Sequence, residues 1–209
     1  MAKIGAFEKN LPAYEEWFTD NHFAYLSELE AIKQLIPKNK KGVEIGIGSG
    51  IFAEPLGINE GIDPSPAMRA KAFERGLNVI EAVAEKLPYK SESIDFALMV
   101  TAICFVDSTI KSLNEIHRIL KPDGEVIIGF VDKNSPVGEI YLKHKNESLF
   151  YKEATFFSTN EIISILENRG FSIEKINQTV FGLLHEVTKI QQPEKGFGKG
   201  SFVVIKAKK

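Results

Sequence analysis

The 209-residue chain has a single cysteine, Cys104, so it can form neither an intramolecular disulfide nor a cysteine-rich zinc site. Arginine is scarce as well. Only four of the 26 basic residues are Arg, and the lysines are spread along the chain rather than gathered into a stripe. Arg is the preferred residue for bidentate contacts to phosphates and bases, and the formal charge is −2 with a pI near 6.1. Composition therefore speaks against a nucleic-acid partner. No apolar run approaches the roughly 20 residues that cross a bilayer. The N-terminus carries Lys3, Glu8 and Lys9 and shows no signal peptide. The default expectation is a cytoplasmic protein with no membrane partner. Four histidines occur without metal-ligand spacing, so no metal is expected.

What is present is the balance of a globular chain, 44% hydrophobic and 26% charged. The length suits one α/β domain spanning 1–209. Residues 1–37 read as a helical cap, with Tyr14, Trp17, Phe18, Tyr25, Leu26, Leu29 and Ile32 near a 3.6-residue period and Pro37 after the last turn. Short apolar runs then alternate with amphipathic segments. Strands are predicted at Val43–Ile47, Gly57–Ile62, Asn78–Val83, Ile94–Val100 and Glu125–Val131. Helices are predicted at Pro66–Arg75 and Ser108–Leu120, with a short one ending near Leu56. Such alternation indicates parallel βαβ units with helices on both faces of the sheet. Residues 132–157 read as an irregular, lid-like insertion rich in aromatic and basic side chains. A helix (Thr159–Arg169) and two strands (Phe171–Val180 and Ser201–Ala207) close the chain. With no helix between them, those strands pair antiparallel.

Two segments carry the chemistry. Val43-Glu44-Ile45-Gly46-Ile47-Gly48-Ser49-Gly50 ends the first strand in a turn whose glycines allow unusual backbone angles and close approach of a ligand. The turn feeds a helix N-terminus, where N–H groups and the dipole favour negative charge. Alone, it is a nucleotide-like signal or a tight turn. Gly61-Ile62-Asp63-Pro64-Ser65 ends the second strand. In doubly wound folds an acid here accepts from ribose hydroxyls. Ser65 is equally a helix cap before Pro66, and both roles can hold together.

The glycine spacing is not the G-x-G-x-x-G of dinucleotide binders. With Glu44 preceding it, the segment resembles the first motif of class I S-adenosylmethionine-dependent methyltransferases. The resemblance extends through Ala84-Glu85-Lys86-Leu87-Pro88-Tyr89, Ser93-Ile94-Asp95-Phe96-Ala97-Leu98 and Ile116-His117-Arg118-Ile119-Leu120-Lys121-Pro122-Asp123-Gly124-Glu125, in family order over residues 40–130. Phe157-Ser158-Thr159, Arg169-Gly170-Phe171 and the Gly-rich last strand are similar to its small-molecule, type 11 branch. The resemblance implies a Rossmann-like seven-stranded α/β sheet, order 3-2-1-4-5-7-6, with the last strand antiparallel. It also implies S-adenosylmethionine as cofactor and methyl transfer by in-line displacement to a small molecule. A noncatalytic S-adenosylmethionine binder and an NAD-dependent oxidoreductase are the alternatives.

By the same resemblance, Gly46, Gly48 and Gly50 lie along the methionine moiety, and Glu44 orients the loop or reaches the amine through water. Asp63 holds the ribose diol. Pro64 and Met68 lie against adenine, Ala84 and Glu85 edge it, and Thr101 faces the sulfonium. Many relatives carry Asp where this chain has Val83, so adenine must be read by a backbone group or by Glu85. No catalytic residue is singled out, because methyl transfer can proceed by positioning alone. Cys104 reads as a small buried thiol and His117 as structural, while His22, His144 and His185 fall in segments the family folds over its site. Tyr14, Trp17, Phe18, Phe150, Tyr151, Phe156 and Phe157 are the candidates for walling an apolar acceptor pocket.

Overall fold

A computed structural model describes residues 5–209. Of the expected 1–37 helical cap, residues 1–4 lie outside the described residues, and the remainder holds three helices, α1 (Gly5–Lys9), α2 (Leu11–Asp20) and α3 (His22–Lys33). The alternating region follows as β1 (Gly42–Ile45), α4 (Ala53–Leu56), β2 (Glu60–Ile62), α5 (Pro66–Glu74), β3 (Asn78–Ile80), β4 (Ile94–Val100), α6 (Thr109–Ile119) and β5 (Leu120–Val131). The 132–157 insertion is more ordered than the sequence suggested. It holds α7 (Pro136–Lys143), started by Pro136 behind the Ser135 cap, and 3-10 turns at Lys145–Glu147 and Tyr151–Glu153. Then come α8 (Thr159–Glu167), β6 (Ser172–Thr179), β7 (Glu194–Lys195) and β8 (Phe202–Lys208).

Among the described residues the sheet has eight strands, not seven, in the order β3-β2-β1-β4-β5-β8-β6-β7. The additional strand is the two-residue β7, which pairs antiparallel with β6 through Asn177 and Gln178. It forms because the Gly-rich connection turns back on itself, Gly196 and Gly198 both taking positive φ. The other seven strands follow the expected order. β1 to β5 are parallel, and β8 lies antiparallel between β5 and β6.

Alternation along the strands distributes the core to two faces. On β4, Ile94, Ala97 and Met99 pack with Leu113, Ile116 and Ile119 of α6 and Ile162 and Leu166 of α8. Phe96, Leu98 and Val100 pack on the opposite face, with Phe18 of α2, Ala31 and Ile32 of α3, Ala53 of α4, Ala72 of α5 and Val137 of α7. The inward face of α3 is Ala24, Ser27, Glu28, Ala31 and Ile32, a stripe rotated from the expected one, in which Tyr25, Leu26 and Leu29 are only half-buried.

Buried Asp132 clamps the end of β5 to the start of α8. One carboxylate oxygen accepts from the Thr159 N–H at 3.0 Å and hydroxyl at 2.5 Å, and the other accepts from Asn134 N–H at 2.8 Å. Asp132→Ala strands those buried donors and should lower the unfolding free energy by about 2–3 kcal/mol. Urea denaturation measures this, and a loss below about 0.5 kcal/mol contradicts the clamp.

Candidate active site

Strand order reverses between β1 and β4, so the chain leaves these neighbours in opposite directions and opens a crevice at their carboxyl ends. A cavity of about 190 Å³ lies there. Of the ten residues the sequence singled out, Gly46, Gly48, Asp63, Pro64, Met68, Ala84, Glu85 and Thr101 line it. Gly50 and Glu44 do not. Gly50 takes φ +83°, and a Cβ there would meet Leu77 at 2.3 Å, so its role is packing. Glu44 is buried on the strand face opposite Val43 and Ile45, and its Oε2 has no hydrogen-bond partner among the described residues. Burial, with Asp63 nearby, holds its carboxyl well above the usual carboxylate range.

Asp63 organises the floor of the cavity. One oxygen accepts from Gly48 N–H at 2.9 Å and the other from Ser65 N–H at 2.8 Å, tying the glycine loop to the β2–α5 turn. Each oxygen keeps acceptor capacity for a ligand. Burial raises its pKa and the two backbone bonds oppose that rise. Ser65 caps α5 as expected, accepting from Met68 N–H at 3.3 Å. Glu85 accepts from Ser108 N–H at 2.9 Å, which fixes its carboxylate at the cavity edge beside Val83 and Ala84. Thr101, ending β4, and Val180, just after β6, are both β-branched, yet take φ of 49° and 60°. Strained backbone of this kind persists only where its surroundings impose it.

Three side chains from the N-terminal helices reach this floor; sequence spacing gives no sign of the two acids among them, Glu8 and Glu15, whereas Tyr14 is one of the aromatic wall candidates. Glu8 accepts from the Ser65 hydroxyl at 2.5 Å and from Ala67 N–H at 3.1 Å, so α1 sits on the N-terminus of α5. Glu15 of α2 accepts from the Ser49 hydroxyl and pairs with Arg75. Tyr14 places its hydroxyl 3.3 Å from where a Gly48 Cβ would stand. Aromatic rings complete the enclosure. Phe7 stacks on Phe150 at 5.3 Å, Tyr14 meets Phe18 edge-on at 5.1 Å, and Tyr141 stacks on Tyr151 at 4.8 Å. Tyr14, Trp17, Phe18, Phe150 and Tyr151 line the cavity as anticipated, whereas Phe156 and Phe157 line a small adjoining pocket with buried Cys104. None of the four histidines lines either. His117 packs against Phe171, and His144 faces Glu147 at 3.3 Å.

Glu28, on the inward face of α3, also lines the cavity. It is 6% exposed, and burial pushes its carboxyl pKa up to about 8 from an ordinary 4.5. The titratable groups that sense its charge are the phenols of Tyr25, Tyr141 and Tyr151, all raised by their own burial. The folded state thus keeps a proton that the unfolded chain releases. This favours the fold below about pH 4.5, and the advantage is lost as pH rises toward about 8. Glu28→Gln should raise Tm by about 5 °C or more at pH 8 and leave it nearly unchanged near pH 5. Scanning calorimetry across that range checks it; a pH-independent difference contradicts it.

Residues 43–128 match a methyltransferase domain family. An uncharacterized protein of Methanocaldococcus jannaschii is 42% identical over 206 residues, spanning 99% of this chain and 100% of its own. A ubiquinone/menaquinone biosynthesis C-methyltransferase of Campylobacter jejuni is 33% identical over 164 residues, 68% of this chain and 70% of its own. The crystal structure of a SAM-dependent methyltransferase, possible histamine N-methyltransferase, from Thermotoga maritima superposes with a TM-score of 0.96, at 48% identity over 99% of both chains. Likeness at that identity and over that length settles the family: this chain belongs to the methyltransferase-domain family and is an S-adenosylmethionine-dependent methyltransferase.

Proposed function

We propose that the chain is one methyltransferase domain that transfers methyl to a small-molecule acceptor enclosed between its N-terminal helices and the 132–157 segment. The observation that carries this reading is the continuity of the cavity. The same space is lined by Asp63, Gly46 and Gly48 and by the rings of Tyr14, Trp17, Tyr141, Phe150 and Tyr151.

The residues present fit the cofactor. Gly46 and Gly48 line the space at positive φ, and the Glu44 carboxyl beneath them keeps an orphaned oxygen. Gly46, Gly48 and Gly50 shape the loop along the methionine moiety, Glu44 orients that loop or reaches the cofactor amine through water, and Asp63 accepts from the ribose hydroxyls. Pro64 and Met68 cover one side of the adenine, and Ala84 and Glu85 the other. With Val83 offering no side-chain acceptor, Glu85 or a backbone group reads the adenine amine. Thr101 faces the reacting centre. S-adenosylmethionine, when bound, supplies a methyl group on a sulfonium sulfur, taken by in-line displacement. The aromatic walls exclude water and orient the acceptor, effects that supply much of the acceleration in such reactions.

The named relatives span nitrogen and carbon acceptors, since one is described as a possible histamine N-methyltransferase and another as a quinone-pathway C-methyltransferase. Both descriptions concern small molecules. The sequence's scarcity of Arg, four of 26 basic residues, and its formal charge of −2 support the same reading.

Asp63→Ala should weaken S-adenosylmethionine binding by about 1.5–3 kcal/mol in isothermal titration, the range for hydrogen bonds to a charged group. An affinity within about twofold of wild type would reduce Asp63 to a structural clamp. Hydrogen exchange tests the enclosure separately. Protection over residues 10–30 and 132–157 should rise when cofactor product and acceptor are both present. Equal protection in every state, or robust methylation of RNA or protein, contradicts a small-molecule lid.

A further inference from the structure

We infer that Glu28 is the acceptor-binding carboxylate of this enzyme and that the acceptor presents a basic nitrogen, an amine or an imidazole-like group, to it. The inference rests on the reading that S-adenosylmethionine occupies the glycine-loop side of the cavity. Its first support is the contrast among buried carboxylates. Asp63 is held by Gly48 and Ser65, and Asp132 by Thr159 and Asn134. Glu28 is buried to the same degree and has no hydrogen bond or ion pair among the described residues; Glu44, whose Oε2 is also orphaned, does not line the cavity, whereas Glu28 does. A carboxyl in the middle of a packed helix face costs several kcal/mol if nothing answers it. Helix geometry alone asks for an apolar residue there, since Ala24, Ala31 and Ile32 flank it.

The second support is the charge of the cavity. Its charged lining residues are Glu28, Asp63, Glu85 and Asp107, and among the described residues no Lys, Arg or His lines it. An anionic acceptor meets repulsion there and no counter-charge. A cation meets Glu28 beside the Tyr141 and Tyr151 rings, which sense its charge, with Trp17 next to Tyr141. A desolvated carboxylate favours an ammonium or imidazolium, with which it forms a charge-assisted hydrogen bond. Binding such a group also prepares it. Glu28 first loses its own carboxyl proton to solvent, and the resulting carboxylate pairs with the ammonium. One N–H bond of that ammonium then breaks, its proton passes to a Glu28 carboxylate oxygen, and the electron pair stays on nitrogen as a nucleophile. A carboxyl whose burial lifts its pKa is suited to hold that proton.

The test is isothermal titration of three matched probes, 2-phenylethylamine, 2-phenylethanol and 3-phenylpropanoate, into the full chain with and without saturating S-adenosylhomocysteine. Wild type should prefer the amine to the alcohol by about tenfold or more, one hydrogen bond to a charged group, and should not measurably bind the carboxylate. Glu28→Gln should abolish the amine preference while alcohol and S-adenosylhomocysteine affinities stay within about twofold, which also reports an intact fold. Glu28→Asp, which keeps the charge, should retain part of the preference. Preference for the alcohol or carboxylate, absence of saturable amine binding, or an amine preference surviving in Glu28→Gln overturns the inference. Failure of wild type to bind S-adenosylhomocysteine contradicts the cofactor placement instead, and the amine preference measured without it still decides the role of Glu28.

Discussion

Between β1 and β4 the sheet reverses its strand order, and the working end of the protein is built on that reversal. The chain must leave β1 toward one side and β4 toward the other, so no connection can fill the space above their carboxyl ends. The glycine loop borders that gap because Gly46 and Gly48 can take left-handed backbone there. Asp63, arriving at the end of β2, then locks the loop through the Gly48 N–H. The β4 end contributes Thr101 in a strained conformation. A parallel sheet packed on both faces thereby produces a rigid, half-finished site, open on one side.

The N-terminal helices and the segment after β5 finish it. Their attachment is polar at the floor, through Glu8 on the start of α5 and Glu15 on Ser49 and Arg75. It is aromatic at the wall, where Phe7 of α1 and Tyr14 of α2 both contact Phe150, and Tyr141 of α7 stacks on Tyr151. The enclosure carries unfavourable features that packing alone would not select. Two β-branched residues sit at positive φ, and the Glu28 and Glu44 carboxyls are buried without adequate partners. Such features lower stability and concentrate where a protein binds or reacts.

The fold was legible to the extent that it is local. Apolar runs such as Ile94–Val100 and the stop at Pro122 disclose the alternation of strands and helices, and the ordered motifs from Glu44 to Glu125 disclose the family. The site floor was legible for the same reason, because Gly48, Asp63 and Ser65 serve a backbone geometry written into consecutive residues. Three things were not. The two-residue β7 depends on pairing with Asn177 and Gln178, some 17 residues away. The Glu8 and Glu15 anchors join residues 57 and 34 positions apart. Glu28 was hidden by the helix period itself. The expected stripe followed the large apolar residues, whereas the packed face uses the small Ala24, Ser27 and Ala31 around the carboxylate. An acid at the fourth position between Ala24 and Ile32 was the available signal, legible only once the inward face is known.

The decisive measurement is a crystal structure of the protein grown with S-adenosylhomocysteine. The ribose hydroxyls should lie on Asp63, the adenine between Met68 and Ala84, and the sulfur near Thr101. The remaining open space should run between that sulfur and Glu28, lined by Trp17, Tyr141 and Tyr151. A nucleoside bound away from the β1–β4 crevice, or one whose bulk fills the space against Glu28 and leaves no room for an acceptor, would contradict this arrangement.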